Sequence, residues 1–200
     1  MTSSPPGSCG DDVRRWYGGH FAEGAEPTYR AAYPCGREGA LGLGYDAGIV
    51  DTAPAAQVQA FCGVGNPFAL GAALPGERVL DVACGAGLDC FVASRWVGPT
   101  GRVEGIDITP EMVGRARHHL EEAGVAQAAV QEASAEKLPF SDASFDLVTS
   151  NGAINLMPDK LAVFREIHRV LRPGGRLHFA DVVRTGEVSK AQGDSDAWSR

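Results

Sequence analysis

The sequence predicts an α/β protein built on a mostly parallel sheet, a Rossmann-like three-layer sandwich with helices on both faces. Two observations predict it. From Glu77 onward, short apolar runs alternate with helical stretches, which is typical of a parallel sheet wrapped by helices. The chain has 200 residues, of which 44% are hydrophobic and 22% charged, and this suits a single domain with one core.

Five apolar runs are predicted to be strands: residues 78–83, 102–107, 128–132, 145–150 and 176–182. A helix is predicted over 110–123, between the second and third strands. Thr109 suits its N-cap, Pro110 its first position, and Gly124 the residue just past its end. A second helix is predicted over 158–171, where apolar residues repeat at spacings of three and four before Pro173 stops it.

Residue composition and hydrophobic pattern divide the chain into three parts. Residues 1–76 are punctuated by Gly and Pro and carry several aromatic residues, so we interpret them as a lid or substrate segment. Residues 77–184 hold the predicted sheet and form the core. Residues 185–200 are a polar tail without strand-like alternation. The sheet is therefore expected to be shortened at its C-terminal side.

Composition narrows the classes of function. The formal net charge is -7 and no dense block of Lys and Arg occurs, which argues against nucleic-acid binding and favours a small-molecule substrate. The first ten residues lack an apolar run, so no membrane partner is expected and the cytoplasm is the expected location. Five cysteines without Cys-x-x-Cys spacing argue against a structural zinc site, and no metal is expected. The oligomeric state is left open.

A loop of small residues follows the first predicted strand directly. Small residues allow the backbone to approach a ligand, and the helix that follows offers free N–H groups. A dinucleotide-binding loop would need Gly or Ala where Cys90 stands, so that template fails. The candidate cofactor-binding residues here are Asp81, Ala83, Cys84, Gly85 and Gly87.

Asp107 closes the second predicted strand, 20 residues after Gly87. An acid at this place can accept hydrogen bonds from both hydroxyls of a ribose. It would also suit a helix-capping role ahead of Thr109, but the preceding loop favours binding. Ile108 and Thr109 join Asp107 as candidate cofactor-binding residues.

The loop, with Ala83 in place of a first glycine, resembles the first motif of class I S-adenosylmethionine-dependent methyltransferases. Residues 133–140 resemble the stretch that holds the adenine ring in these enzymes, and they supply Ser134, Ala135 and Glu136 as candidates. An acid that the family often has at position 134 is absent. The resemblance implies S-adenosylmethionine as cofactor.

Five further segments, residues 61–67, 88–91, 107–112, 150–156 and 158–160, resemble the arsenite methyltransferase family. The most specific is the Ser-Asn-x-x-Ile-Asn-Leu-x-Pro-Asp-Lys run that begins at Ser150. The resemblance implies methyl transfer to trivalent arsenic, which binds thiolates. The family has Cys where Val64 and Gly152 stand here. Cys35 matches an upstream family thiol by spacing.

Two cysteines and two other side chains are candidates on the acceptor side. Cys62 lies two residues from Val64 and would share its face in an extended segment, so Cys35 and Cys62 are substrate candidates. Asn151 ends the fourth predicted strand and is the candidate catalytic residue. Tyr17, which is followed by Gly18 and Gly19, is a further substrate candidate as a lid residue. His118 and His119 are expected on a solvated helix face.

Two alternatives stay open at this stage. The chain could be a small-molecule O-, N- or C-methyltransferase that has lost the thiol site, which Val64 and Gly152 support. It could also be a non-catalytic cofactor-binding or interaction module, because a shortened sheet leaves an edge open to pairing.

Overall fold

The computed structural model describes residues 35–183. Within that range the helices are α1 (Gly36–Gly42), α2 (Ala47–Val50), α3 (Ala55–Gln59), α4 (Leu88–Val97), α5 (Pro110–Glu122) and α6 (Lys160–Val170). The strands are β1 (Arg78–Val82), β2 (Arg102–Asp107), β3 (Ala128–Glu132), β4 (Phe145–Asn151) and β5 (Leu171–Ala180). Short 3-10 helices occupy Pro67–Leu70 and Ile154–Leu156.

The five strands form one parallel sheet in the order β3-β2-β1-β4-β5. The strand order reverses between β1 and β4, so the loops that follow these two strands leave toward opposite faces. A crevice therefore opens at their carboxyl ends, which is where open parallel sheets bind ligands. The predicted α/β fold with a mostly parallel sheet is confirmed.

Alternate residues of β1 supply two separate hydrophobic clusters. Val79 belongs to a cluster with Phe91 and Val97 of α4, which lies on one face of the sheet. Leu80 belongs to a cluster with Val163 and Ile167 of α6 on the other face. Because successive side chains of a strand point to opposite faces, burial on both sides requires the near-continuous apolar run that made β1 predictable.

The fifth strand differs most from the sequence prediction. It begins at Leu171, directly after α6, and ends at Ala180, whereas a strand over 176–182 was expected. The pairing with β4 shifts register between Phe145 and Leu147, so the Pro173–Gly175 stretch bulges inside the strand instead of preceding it. Gly174 has φ +81, which its lack of a side chain permits.

The two predicted helices are present with small differences in their ends. The one predicted over 158–171 is α6, and Asp159 is its N-cap, with a side chain that accepts from Ala162 N at 2.9 Å. The one predicted over 110–123 is α5. Within the described residues Thr109 holds its N-cap position without a side-chain capping bond, and its N donates to Asp107 Oδ1 at 2.9 Å.

Residues 35–76, the described part of the predicted lid segment, pack on the core. The Tyr45 ring meets the rings of Phe61 and Phe68 edge to face, at centroid distances of 5.3 and 6.4 Å, and Phe68 meets Trp96 of α4 at 4.8 Å. Tyr17 and the tail over 185–200 lie outside the described residues. Among residues 35–183, the helices are too short or too polar to span a bilayer.

Candidate active site

A cavity of about 430 Å³ opens at the carboxyl ends of β1, β2 and β4. It brings together residues predicted from distant parts of the sequence. From the predicted set it is lined by Cys62, Asp81, Ala83, Cys84, Gly85, Asp107, Ile108, Thr109, Ser134, Ala135, Glu136 and Asn151. Gly87 and Cys35 do not line it. The predictions of a ligand site at this edge of the sheet therefore converge on one cavity.

The loop after β1 turns through left-handed backbone conformations. Ala83 has φ +59 and Gly85 φ +52, and a side chain added at Gly85 would meet open space. The loop is tied to β2 by Cys84 N, which donates to Ile106 O at 2.9 Å. Because side chains do not fill the space beside Gly85, its backbone is open to a ligand.

Gly87 has another reason for being small. It is the N-cap of α4 with φ +88, and a Cβ there would lie 3.0 Å from Ala116 Cβ of α5. This glycine allows close packing between the loop and α5, and it does not contact the cavity.

Asp107 joins the loop to the start of α5. Its Oδ2 accepts from Gly85 N at 2.9 Å and its Oδ1 from Thr109 N at 2.9 Å. Desolvation raises the pKa of this carboxyl, and the two backbone bonds oppose that rise. A carboxylate has about four acceptor sites, so ligand hydroxyls would share them with these two bonds and with the lesser contacts from the Thr109 side chain and Ile108 N. The capping and binding roles weighed for Asp107 are thus compatible.

Two buried carboxylates lie together deeper in the cavity. Asp81 accepts from Thr149 Oγ1 at 2.8 Å, and Asp89 accepts from Tyr45 OH at 2.6 Å. Burial, and then the neighbouring Asp89, hold the pKa of Asp81 well above its usual value, while burial raises the pKa of Asp89 to about 6. Within residues 35–183, neither carboxylate forms a salt bridge with Lys or Arg.

The Asn151 amide is hydrogen-bonded at both ends. Its Oδ1 accepts from Val64 N at 2.9 Å and Gly65 N at 3.2 Å. Its Nδ2 donates to Gly65 O at 2.8 Å, and it also lies 3.0 Å from Tyr45 OH and 3.2 Å from Asp89 Oδ2. Asn151 therefore fastens the 63–65 segment beside the cavity, and its predicted catalytic role stays a prediction.

The segment that Asn151 holds runs close to the sheet. A Cβ on Gly63 would overlap the Asn151 amide and the Phe61 ring, so only glycine fits there. Gly36 N donates to Phe61 O at 2.8 Å, which places the Cys35 and Cys62 backbones on neighbouring segments. Desolvation, and after it Cys35, raise the pKa of Cys62 to about 11. Cys35 and Cys62 are exposed when the whole residue is considered, whereas neighbouring atoms desolvate the sulfur of Cys62.

Val64 and Gly152 face each other where the 63–65 segment passes the end of β4. Residues 63–65 together with Gly152 are called the lip below. A Cβ on Gly152 would lie 3.2 Å from Val64 Cγ1 and 3.4 Å from Val64 Cγ2. Side chains at these two positions would therefore touch. In this chain the two methyl groups of Val64 face Gly152, so this contact contains no sulfur.

Two buried side chains beneath the loop, Gln57 and His119, were not predicted from the sequence. For His119 the expectation of a solvated helix face was wrong. His119 is only 5% exposed, and its Nδ1 lies 3.1 Å from Ala86 O, so it does not lie on a solvated face. Gln57 is fully buried and donates to Ala86 O at 3.3 Å, and its Oε1 has no hydrogen-bond partner among residues 35–183. His119 shares a face of α5 with Met112 and Ala116, a spacing that would have predicted its burial.

The sheet order, the small-residue loop and the acid at the tip of β2 together define a cofactor-binding domain of the Rossmann-like class. Residues 74–198 match the methyltransferase domain family, and the chain belongs to that family. Enzymes of this family use S-adenosylmethionine as methyl donor, so the fold class and the cofactor expected from the sequence are those of the family.

The similar proteins include arsenite methyltransferases. The arsenite methyltransferase of Halobacterium salinarum is 44% identical over 144 residues, which are 72% of this chain and 36% of that protein. The arsenite methyltransferase of Aquipseudomonas alcaligenes is 42% identical over 128 residues, covering 60% and 36%. The chain thus spans little more than a third of the length of these relatives.

A solved structure agrees with this similarity. The arsenic(III) S-adenosylmethionine methyltransferase of Chlamydomonas reinhardtii superposes with a TM-score of 0.62 at 38% identity, over 67% of this chain and 47% of that one.

Proposed function

We propose that this chain transfers a methyl group from S-adenosylmethionine to trivalent arsenic. The observation that carries the proposal is one cavity that is lined both by the loop and Asp107 and by Cys62 and Asn151. A donor bound beside the first group of residues and an acceptor bound beside the second would share that cavity. Similarity to the arsenite methyltransferases supports the choice of acceptor.

The polar groups of the cavity fit the parts of the donor. Asp107 has acceptor capacity for a ribose diol, and Ser134, Ala135 and Glu136 line the side where an adenine ring would lie. Asp81 and Asp89 are buried acids without a cationic partner among residues 35–183. An ammonium or sulfonium group beside them would supply the missing positive charge.

The chain's own contribution to methyl transfer is positioning. S-adenosylmethionine supplies a methyl group already activated by its sulfonium, so no general base is required. Asn151 and Gly63 hold the acceptor lip against the sheet, and Tyr45 closes the cavity behind Asp89. Aligning donor and acceptor and excluding water are the effects that such a site provides.

We assign the binding of the methyl acceptor, trivalent arsenic, to the thiols of Cys35 and Cys62. Soft trivalent arsenic prefers sulfur ligands, and Cys62 lines the cavity with Cys35 beside it. Positions 64 and 152 supply no sulfur here. We therefore expect arsenic at the Cys35–Cys62 pair.

The cofactor part of the proposal is tested by titration calorimetry with S-adenosylhomocysteine. Asp107→Ala should weaken binding by at least about 2 kcal/mol, roughly 30-fold, because hydrogen bonds to a charged group contribute about 1.5–3 kcal/mol each. Glu121→Ala, which removes an exposed acid on the surface of α5, is the control and should bind normally. Unchanged affinity in Asp107→Ala, with the fold intact, would contradict the site.

The acceptor part is tested by methyl transfer to arsenite in the presence of excess thiol. The Cys35→Ser and Cys62→Ser variants should lose arsenite methylation while keeping cofactor affinity. Full activity in both variants would show that other atoms hold the acceptor.

A second candidate is favoured by the apposition of Val64 and Gly152. Without sulfur at that contact, the lip suits a small organic acceptor, and the chain would then be an O-, N- or C-methyltransferase. Cofactor binding with no arsenite methylation in the unmodified chain would favour this candidate over arsenic.

A further inference from the structure

A second thiol pair lies underneath the cofactor loop. Cys84 belongs to the loop and Cys90 to the first turn of α4. A Cβ built on Gly105 of β2 would lie 2.7 Å from Cys90 Sγ and 3.0 Å from Cys84 Sγ, so both sulfurs lie above the same glycine. The two thiols therefore lie side by side in the fold.

The pair is reached from the cavity. Cys84 lines the cavity and is partly exposed, whereas Cys90 is 0% exposed and lies behind it. Cys90 Sγ is 3.5 Å from Asp81 Oδ2, and Cys84 Sγ is 3.8 Å from Gly85 O. A reagent that reached Cys84 would therefore be inside the space that the proposed cofactor fills.

We propose that Cys84 and Cys90 form a dithiol site for trivalent arsenicals, separate from the Cys35–Cys62 pair, and that its occupation excludes the cofactor. The site is inhibitory, since it lies under the loop and not at the acceptor lip. Its effect on cofactor binding rests on the proposed function, whereas capture of the arsenical does not.

The chemistry of the pair favours an arsenical over a metal cation. The neighbouring Cys84 thiol, and then burial, raise the pKa of Cys90 well above its usual value, and the pKa of Cys84 is raised as well, so both thiols are protonated at neutral pH. A divalent cation would need thiolates and further ligands, and residues 35–183 contain no group of three or more His, Cys, Asp or Glu that could hold one.

An arsenical reacts with such thiols without leaving a charge behind. In the reaction with phenylarsine oxide, two As–S bonds form and the oxygen leaves as one water molecule with both thiol protons. No electron is transferred. The thiols and the product are all neutral, so burial does not oppose the reaction as it opposes an ion.

Capture would also distort the loop. Cys84 and Cys90 flank Gly85, Ala86 and Gly87, whose backbone carries the open face at Gly85. Placing an arsenic atom and its phenyl group between the sulfurs requires the Cys84 side chain to move toward the cavity, because Cys90 and Gly105 are packed behind it. The loop is then unable to receive the cofactor.

The experiment uses phenylarsine oxide and the full chain in which Cys35→Ser and Cys62→Ser are combined. Intact-protein mass spectrometry after removal of free reagent should show one equivalent retained, and a small dithiol should remove it. Adding Cys90→Ala should abolish retention. S-adenosylhomocysteine at about 100 times its Kd should slow capture about 100-fold, because only the unliganded fraction reacts.

Each outcome decides the inference. Retention that persists after Cys90→Ala, or absence of retention in the Cys35/Cys62 double variant, would overturn it. If the Cys90→Ala variant is unstable, Cys90→Ser repeats the test, because serine keeps a hydrogen-bond donor toward Asp81. Urea unfolding measures the stability of both variants. Capture that S-adenosylhomocysteine does not slow would leave the dithiol in place but refute exclusion of the cofactor. If S-adenosylhomocysteine does not bind the unmodified chain, the proposed function fails while the mass measurement still decides the dithiol.

Discussion

Replacing Asn151 tests whether this amide positions the acceptor lip. Asn151→Ala removes both acceptor bonds from Val64 N and Gly65 N and leaves those partly buried N–H groups without their partner. A buried donor left unsatisfied costs about 1–3 kcal/mol, so the free energy of unfolding should fall by roughly 2–4 kcal/mol. Urea unfolding followed by circular dichroism measures this.

The aspartate variant separates positioning from a generic loss of packing. Asn151→Asp keeps an oxygen that accepts from Val64 N but loses the donor to Asp89, 3.2 Å away, and adds a like charge there. Repulsion between neighbouring carboxylates raises their pKa values, so the damage should lessen as pH falls. Asn151→Ala should show no such recovery.

Kinetics then give the refuting result. If Asn151 acts by holding the lip, both variants should lower kcat for methyl transfer more than they weaken S-adenosylhomocysteine binding, because the loop and Asp107 are untouched. Full activity with a normal free energy of unfolding in Asn151→Ala would refute the reasoning.

Three further results are expected. Burial raises the pKa of Asp89 to about 6, and a cationic cofactor favours the ionised form of this carboxyl. Binding of S-adenosylmethionine should therefore release protons and become tighter as pH rises through that value. Calorimetry in two buffers of different ionisation enthalpy measures the proton release, and an affinity that does not depend on pH would contradict the expectation. Gly152→Ala should lower the free energy of unfolding by about 1–3 kcal/mol, since φ is +70 there, and a neutral result in thermal denaturation would count against strain. Adding Val64→Cys with Gly152→Cys to the Cys35/Cys62 double variant should restore arsenical retention in the presence of S-adenosylhomocysteine, and its failure would show that the facing positions cannot bridge one arsenic atom.

The parts of the fold that the sequence predicted are those with local causes. β1 is buried on both faces, so its apolar run is interrupted only by Asp81, and α5 carries its own start and stop residues in Pro110 and Gly124. The beginning of β5 was not predictable in this way. Pro173 and the two glycines after it indicate a break, yet pairing of Leu171 with Phe145 extends the strand through them.

The residues of the proposed cofactor side share one cavity for the same reason. Asp107 and the 83–87 loop each follow a strand directly, and neighbouring parallel strands end at one edge of the sheet. The acidic pair escaped prediction because Asp89 looks like an ordinary acid in the first turn of a helix. Only the fold brings it to Tyr45, 44 residues earlier in the chain.

The proposed acceptor side of the cavity depends on one side chain that joins three distant segments. Asn151 lies 86 residues from Gly65, 62 from Asp89 and 106 from Tyr45, and it hydrogen-bonds with all three. The contacts at this position require a side chain that accepts from two backbone N–H groups and also donates to a carboxylate. The short amide of Asn151 does both from the end of β4. Because one amide contacts both Asp89 and the 63–65 segment, a change in the charge of Asp89 acts directly on the group that holds the lip. Asp89 and the 63–65 segment are therefore coupled through Asn151.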